Sequence, residues 1–231
     1  MNKRIMELKG VEVWDGNMAN SQALRQADVD VIAAYPITPS TATVENYCMF
    51  HANGYIDGEV IMTESEHAAM SACVGAGAAG GRVATATSSQ GLALMIEVLY
   101  QASGMRIPVV LCLVNRALAA PLNVNGDHSD LYLTRDSGWI SIDAFNPQEA
   151  YDMTLMSFRI SEHPAVRLPV ISNQDGFMTS HTAQNVTPLE DEVACKFVGD
   201  YLQVNALLNF DKPVTHGVQT EQDWHFEHKA K

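Results

Sequence analysis

At 231 residues with 47% hydrophobic composition, the chain is long enough to bury a substantial core. Its 14 Lys+Arg against 27 Asp+Glu leave a formal charge of −13. That balance excludes a basic nucleic-acid footprint and disfavours an acidic electron carrier docking on the average surface.

Residues 11–17 read as a short Val/Trp strand ending in an Asp15-Gly16-Asn17 turn, and 18–28 as a helix packed by Met18, Ala23, Leu24 and Ala27. Val29 to Ala34 is a buried strand bounded by Asp28 and Asp30, followed by Tyr35-Pro36-Ile37-Thr38-Pro39-Ser40 and a helix over 41–52. A strand at 60–63, an Ala/Gly-rich helix at 64–80, a strand at 82–87 and a helix from Ser88-Ser89-Gln90-Gly91 to about 103 come next. The strand 108–114 is the most apolar. A long loop, 115–138, then breaks the rhythm before a helix over 147–161 with Pro147 at its first position, and a strand at 168–172. Such alternation implies βαβ units. The expected fold is α/β, a doubly wound, mostly parallel sheet over 1–185, with 186–231 a linker or arm toward a partner or a following domain.

Cys48, Cys73, Cys112 and Cys195 are far apart, without a Cys-x-x-Cys pair. Buried free thiols are expected in the three apolar segments, and neither a disulfide framework nor a four-cysteine cluster can be built. Residues 1–9 hold no apolar signal core, and the longest apolar run, 107–114, is too short to cross a bilayer. The expected compartment is the cytoplasm. Val74-Gly75-Ala76-Gly77 superficially resembles a dinucleotide loop, but it falls inside a helix instead of between strand and helix.

Five stretches carry candidate chemistry. The two prolines of the first hold the backbone extended and present the Thr38 hydroxyl at the carboxyl end of a strand, where open α/β sheets bind ligands. The plainer reading is a rigid turn capped by Ser40 or Thr41. In Thr63-Glu64-Ser65-Glu66, the Thr63/Glu66 spacing fits a capping box; alternatively, a carboxylate heading a helix of small residues grips a heterocycle nitrogen. Thr85-Ala86-Thr87-Ser88-Ser89-Gln90-Gly91 is either a plain Ser cap or a set of hydroxyls and amides facing a polar ligand. Arg116 directly follows the most apolar strand, where a guanidinium could take a carboxylate bidentately or merely pack on the surface. In the long loop, Asn125-Gly126-Asp127-His128-Ser129-Asp130 offers a proton shuttle or ligand at Asp127 and His128, or an Asx-turn network.

Taken together, Tyr-Pro-Ile-Thr-Pro-Ser, Ser-Glu before a Gly/Ala-rich helix, Thr-Ser-Ser-Gln-Gly, Asn-Arg after the apolar strand, Gly-Asp-His-Ser-Asp and Arg135-Asp-Ser-Gly138 resemble, in order, the pyrimidine-binding domain of the thiamine-dependent 2-oxoacid:ferredoxin oxidoreductases. That resemblance implies the α subunit, or its N-terminal domain, of an enzyme most like pyruvate synthase. Its reaction is CoA-dependent oxidative decarboxylation of pyruvate to acetyl-CoA and CO2 with ferredoxin as acceptor, reversible for carbon fixation in anaerobic metabolism. It assigns Glu66 to tautomerising the aminopyrimidine of thiamine diphosphate, with Pro36, Ser89 and Gln90 lining the cofactor pocket. Thr38 and Arg116 would hold the substrate carboxylate, Arg116 also assisting decarboxylation. It places the diphosphate and Mg2+ on a β subunit and [4Fe–4S] clusters on partner subunits, in a dimerised hetero-oligomer with γ and ferredoxin-like δ subunits and no metal on this chain. The alternatives are 2-oxoglutarate, a branched-chain 2-oxoacid or oxalate as substrate, or a non-catalytic scaffold subunit.

Overall fold

The computed structural model describes residues 4–8 and 10–230, so the stretch read for a leader, 1–9, lies partly outside the described residues. In chain order the elements are β1 (Glu12–Trp14), α1 (Gly16–Gln26), β2 (Val31–Ala34), α2 (Thr41–Ala52), β3 (Glu59–Met62), α3 (Glu66–Ala79), β4 (Val83–Thr87) and α4 (Ser89–Gly104). They continue with β5 (Val110–Val114), α5 (Ser129–Tyr132), β6 (Ile140–Ala144), α6 (Pro147–Ser161), β7 (Val170–Gln174), β8 (Gln184–Val186), α7 (Asp191–Val198) and α8 (Gln222–Ala230).

Six strands form one parallel sheet in the order β3-β2-β4-β5-β7-β6. β4, β5 and β7 are buried along their whole length, as parallel strands covered on both faces must be. Alternation along β5 divides the core: Val110 and Cys112 pack with α1, α2 and α6, whereas Leu111 and Leu113 pack with α3 and α4. Right-handed crossovers explain this division. The connections β2-α2-β3 and β6-α6-β7 step one way along the sheet, and β3-α3-β4 and β4-α4-β5 step the other way. Between β2 and β4 the winding therefore reverses. The crevice at their carboxyl ends is the topological switch point of the sheet.

The sequence expectations differ from this fold at identifiable places. Asp15-Gly16-Asn17 is not a turn: Asp15 Oδ1 accepts the Met18 N–H at 2.8 Å and caps α1, which starts at Gly16. Asx turns and N-caps use the same side-chain-to-amide bond, so local chemistry does not separate them. β1 lies outside the main sheet and pairs antiparallel with β8, a pairing too distant in sequence to be read locally. β6 has no counterpart among the expected strands. Cys73 and Cys112 are buried, and burial pushes their thiols up to about 12. Cys48 is only half-buried.

Beyond β8, α7 stays on the domain surface, where Arg25 holds Asp191 through bonds of 2.8 and 2.6 Å. Further on, Leu207 N donates to Ala78 O at 2.8 Å. α8 has no buried residue. No described helix is long and apolar enough to cross a membrane.

Candidate active site

Four loops converge at the switch point. After β2, the proline loop is held from below: Asn17 Nδ2 donates to Pro39 O at 3.1 Å, and Thr43 Oγ1 donates to Asn17 Oδ1 at 2.8 Å. Pro36 and Thr38 are exposed and Pro39 is buried. Ser40 sits at the N-cap of α2 but gives no side-chain cap; its hydroxyl turns back to Ile37 O at 2.8 Å. The loop is thus a stiff platform, and its Thr38 hydroxyl is engaged by no described residue.

After β3, Ser65, not Thr63, caps α3, its Oγ accepting the Ala68 N–H at 3.2 Å. The Thr63 hydroxyl instead donates to Ala34 O and Ser65 O. Glu66 is therefore the first helical residue, too early to reach back to a capping-box amide, and that reading fails. Its side chain is 7% exposed, and among the described residues its carboxylate meets no hydrogen-bond donor or cation. A buried carboxylate left so is costly unless something else satisfies it.

After β4, Ser88 occupies the N-cap of α4 without a side-chain cap bond. The Thr87 and Ser88 hydroxyls are buried and without partners among the described residues. Gly91 explains how Glu66 fits: a Cβ there would run into the Thr87 hydroxyl and come within 2.7 Å of Glu66 Oε1. We expect Gly91→Ala to lose roughly 1–3 kcal/mol despite alanine's better helix propensity, because overpacking outweighs propensity. Urea unfolding measures this, and a midpoint at or above wild type would show that the contact relaxes freely.

After β5, Arg116 is 8% exposed. Its Nη1 donates to Thr38 O at 2.8 Å and its Nη2 to Gln90 Oε1 at 3.0 Å, so the guanidinium bridges the switch point. Nε is buried without a partner. Ser89 Oγ lies 2.5 Å from Gln90 Oε1 and 2.6 Å from Ala117 O, on a backbone with φ +47°. Thr38, Gln90 and Arg116 thus meet directly, and Glu66 reaches the same crevice through Gly91. Pro36 makes no polar contact with a described residue and lies on the exposed shoulder of the loop.

Asp127 and His128 lie on the outer, exposed side of the long loop. Asp127 Oδ1 accepts the Ser129 N–H at 2.7 Å, and the Ser129 bonds hold its carboxyl below the usual range. His128 Nε2 is 3.3 Å from Asp175 Oδ2. This is the geometry of an Asx turn tied to the loop after β7, and no described His/Cys/Asp/Glu group has the arrangement of a metal centre. Sequence reasoning assigned no role to Asp130, yet it is wholly buried beneath Ser89 and Arg116. Burial pushes its carboxyl up, and bonds from Arg116, Ser89, Asn115 and Leu131 pull it back only in part. Its one legible signal was its place in the Gly-Asp-His-Ser-Asp run.

The exits of the strands also carry exposed apolar side chains, among them Met62 at the end of β3, Tyr132 at the end of α5, Phe145 after β6 and Met178 after β7. Orphaned polar atoms lie beneath that rim, on Asn115, Asn173, Gln174 and Asp175.

Residues 22–231 match the family model described as pyruvate flavodoxin/ferredoxin oxidoreductase, thiamine diphosphate-binding. The chain is 50% identical over 216 residues to pyruvate synthase subunit PorA of Thermotoga maritima, covering 94% of this chain and 55% of that one. It is 42% identical over 227 residues to ketoisovalerate oxidoreductase subunit VorA of Pyrococcus furiosus, covering 98% of this chain and 57% of that one. In structure it is similar to a 2-oxoglutarate:ferredoxin oxidoreductase from Magnetococcus marinus with 2-oxoglutarate, coenzyme A and succinyl-CoA bound. The TM-score is 0.71 at 27% identity, over 81% of this chain and 33% of that one. The chain spans about half the length of the PorA and VorA relatives.

Proposed function

This chain belongs to the thiamine-diphosphate-binding family of pyruvate flavodoxin/ferredoxin oxidoreductases, and from that premise we propose that it is the pyrimidine-binding part of the α subunit of a CoA-dependent pyruvate:ferredoxin oxidoreductase. The observation that carries the reading is the buried Glu66 carboxylate, without a described partner, opening on the crevice that Arg116 spans. A carboxylate without a described partner, close to the free Thr87 hydroxyl, fits the aminopyrimidine of thiamine diphosphate, which offers ring nitrogens and an amine.

When bound, thiamine diphosphate supplies a carbon nucleophile for the 2-oxo group and a sink for the electron pair that decarboxylation releases. Glu66 would hold a proton between its carboxylate and a ring nitrogen of the cofactor, with Pro36 and Gln90 as pocket wall and Ser89, wholly buried, behind Gln90. Arg116 is pre-aimed by Thr38 O and Gln90 Oε1, which leaves the second hydrogen of each terminal nitrogen for a substrate carboxylate. The Thr38 hydroxyl supplies one more donor on a loop that cannot swing away, so orientation is set before the substrate arrives. Arg116→Lys keeps the charge and loses the fork. We expect KM for pyruvate to rise roughly 10–150-fold, the equivalent of one charge-assisted hydrogen bond of ~1.5–3 kcal/mol, with a smaller change in kcat. An unchanged KM would remove Arg116 from the substrate grip.

The apolar rim above the crevice supports a partner chain closing it, with residues 1–185 as the cofactor domain and 186–231 as an arm toward a partner or following domain. The diphosphate with Mg2+ and the [4Fe–4S] clusters would lie on partner subunits, in a cytoplasmic complex that is inactive without them. Pyruvate is preferred over a branched-chain 2-oxoacid because identity to PorA exceeds that to VorA. The scaffold alternative is disfavoured because Thr38, Glu66 and Arg116 are all present and assembled. Co-purification with the partner chains, a thiamine diphosphate assay and a 2-oxoacid panel with a viologen dye as acceptor test the proposal. An assembled complex lacking the cofactor, or silent toward every 2-oxoacid, would overturn it.

A further inference from the structure

We infer that Asp130 is a positioning residue for the Arg116 grip, tying the exit of β5 to the entry of α4 from a wholly buried carboxylate. The inference rests on the reading of Arg116 given above. Asp130 Oδ2 accepts the Ser89 N–H at 2.9 Å and the Arg116 N–H at 3.0 Å. Its Oδ1 accepts Asn115 Nδ2 and the Leu131 N–H, both at 2.8 Å. Both oxygens are therefore saturated by N–H donors from three segments that sequence separates widely: the start of α4, the end of β5 and α5 itself.

Two consequences follow from this hub. Arg116 has its backbone anchored at the same atom that anchors Ser89, so its guanidinium and the Gln90 side chain it meets share one reference point. Ser89 is also held at φ +47°, a backbone region in which a side-chain-bearing residue is strained, and the bond to Asp130 is what fixes its amide there. Without the carboxylate, the amide of Ser89 or of Arg116 would lie buried with no acceptor, and both segments would relax. Elsewhere in the loop the Thr134 hydroxyl bonds only Leu131 O, at 2.8 Å, and ties no second segment.

Asp130→Asn is the direct probe, since whichever way the amide is turned, one pair of N–H donors faces an NH2. In the assembled holocomplex we expect KM for pyruvate to rise by about tenfold, with a smaller fall in kcat. Bound thiamine diphosphate per complex should fall by less than KM rises, because the hub leaves Glu66 and α3 in place and reaches the cofactor pocket only through Ser89 and its neighbour Gln90. Hydrogen exchange at the Ser89 and Arg116 amides should accelerate selectively. Thr134→Val, which loosens the same loop elsewhere, should keep the wild-type KM and the protection of those two amides. A lower melting temperature with KM and both amides unchanged would make Asp130 merely structural and overturn the inference. If Asp130→Asn does not assemble, Asp130→Glu keeps the charge while shifting both oxygens; a wild-type KM with wild-type exchange at both amides there overturns the inference equally. Amide exchange judges the hub without substrate, so a wild-type complex that binds no 2-oxoacid would count against the proposed function and not against Asp130.

Discussion

Glu66→Gln, in a complex reconstituted with its partner chains, is expected to lose ~10²–10⁴-fold in 2-oxoacid turnover, the range associated with a positioned proton-transfer group. Stability should hardly change or should rise. Ser65 already caps α3, so the helix does not depend on Glu66 for its first-turn amides. What the helix dipole gains from a carboxylate at this position is only ~0.3–1 kcal/mol. Against that stands the cost of burying a carboxylate that meets no described donor, which glutamine lowers at nearly the same volume. An active-site group that is locally unfavourable and functionally required is the usual stability–activity trade-off. Steady-state assays with a dye acceptor, run beside thermal unfolding, separate the two effects. Turnover within a few-fold of wild type would reject the catalytic assignment, and a large drop in melting temperature would mean that Glu66 is structural.

At the opposite, amino end of the strands, Arg82→Met is expected to destabilise the chain by roughly 3–5 kcal/mol, as breaking a buried ion pair does. Arg82 is 7% exposed and holds Glu162 through bonds of 2.7 and 2.8 Å. It also donates to Ala27 O at 2.5 Å and to Gly199 O at 2.7 Å, with its guanidinium 5.9 Å from the ring centres of Phe158 and Tyr201. One side chain thus fastens the end of α1, the end of α6 and the exit of α7 to the start of β4. Removing it strands the Glu162 carboxylate in a site where its side chain is 10% exposed. The double variant Arg82→Met/Glu162→Leu should recover most of the loss, because an apolar replacement of both partners leaves no buried charge. Urea unfolding of the three proteins, with the coupling taken from the double-mutant cycle, checks this. A single-variant loss under about 1 kcal/mol would show that the pair is too hydrated to matter.

Much of the fold was legible because local chemistry and tertiary packing agreed. α6 runs over the expected 147–161, since Asn146 caps it by accepting the Glu149 N–H and Pro147 costs nothing at its first position. α2 likewise spans the expected 41–52, although for a different reason, because the Ser40 hydroxyl does not cap it. β6 was missed even though Ile140-Ser141-Ile142-Asp143-Ala144 alternates with period two, the pattern of a half-buried edge strand; the neighbouring long loop obscured it. β8, at three residues, offers no periodicity, and only its pairing with β1 defines it.

The candidate site divides along the same line. Composition and pattern determined an α/β sheet, a stiff proline loop at a strand end, a carboxylate heading a helix of small residues and an arginine behind the most apolar strand, because each of these is a property of a few adjacent residues. Only the tertiary structure decided that β2 and β4 flank the point where the winding reverses, so that Thr38, Gln90 and Arg116 touch. It also decided that Ser65 takes the cap and frees Glu66, that Gly91 makes room for that carboxylate, and that Asp130 holds both Ser89 and Arg116. Those relations link positions tens of residues apart through burial and hydrogen-bond saturation, which no local window of sequence contains.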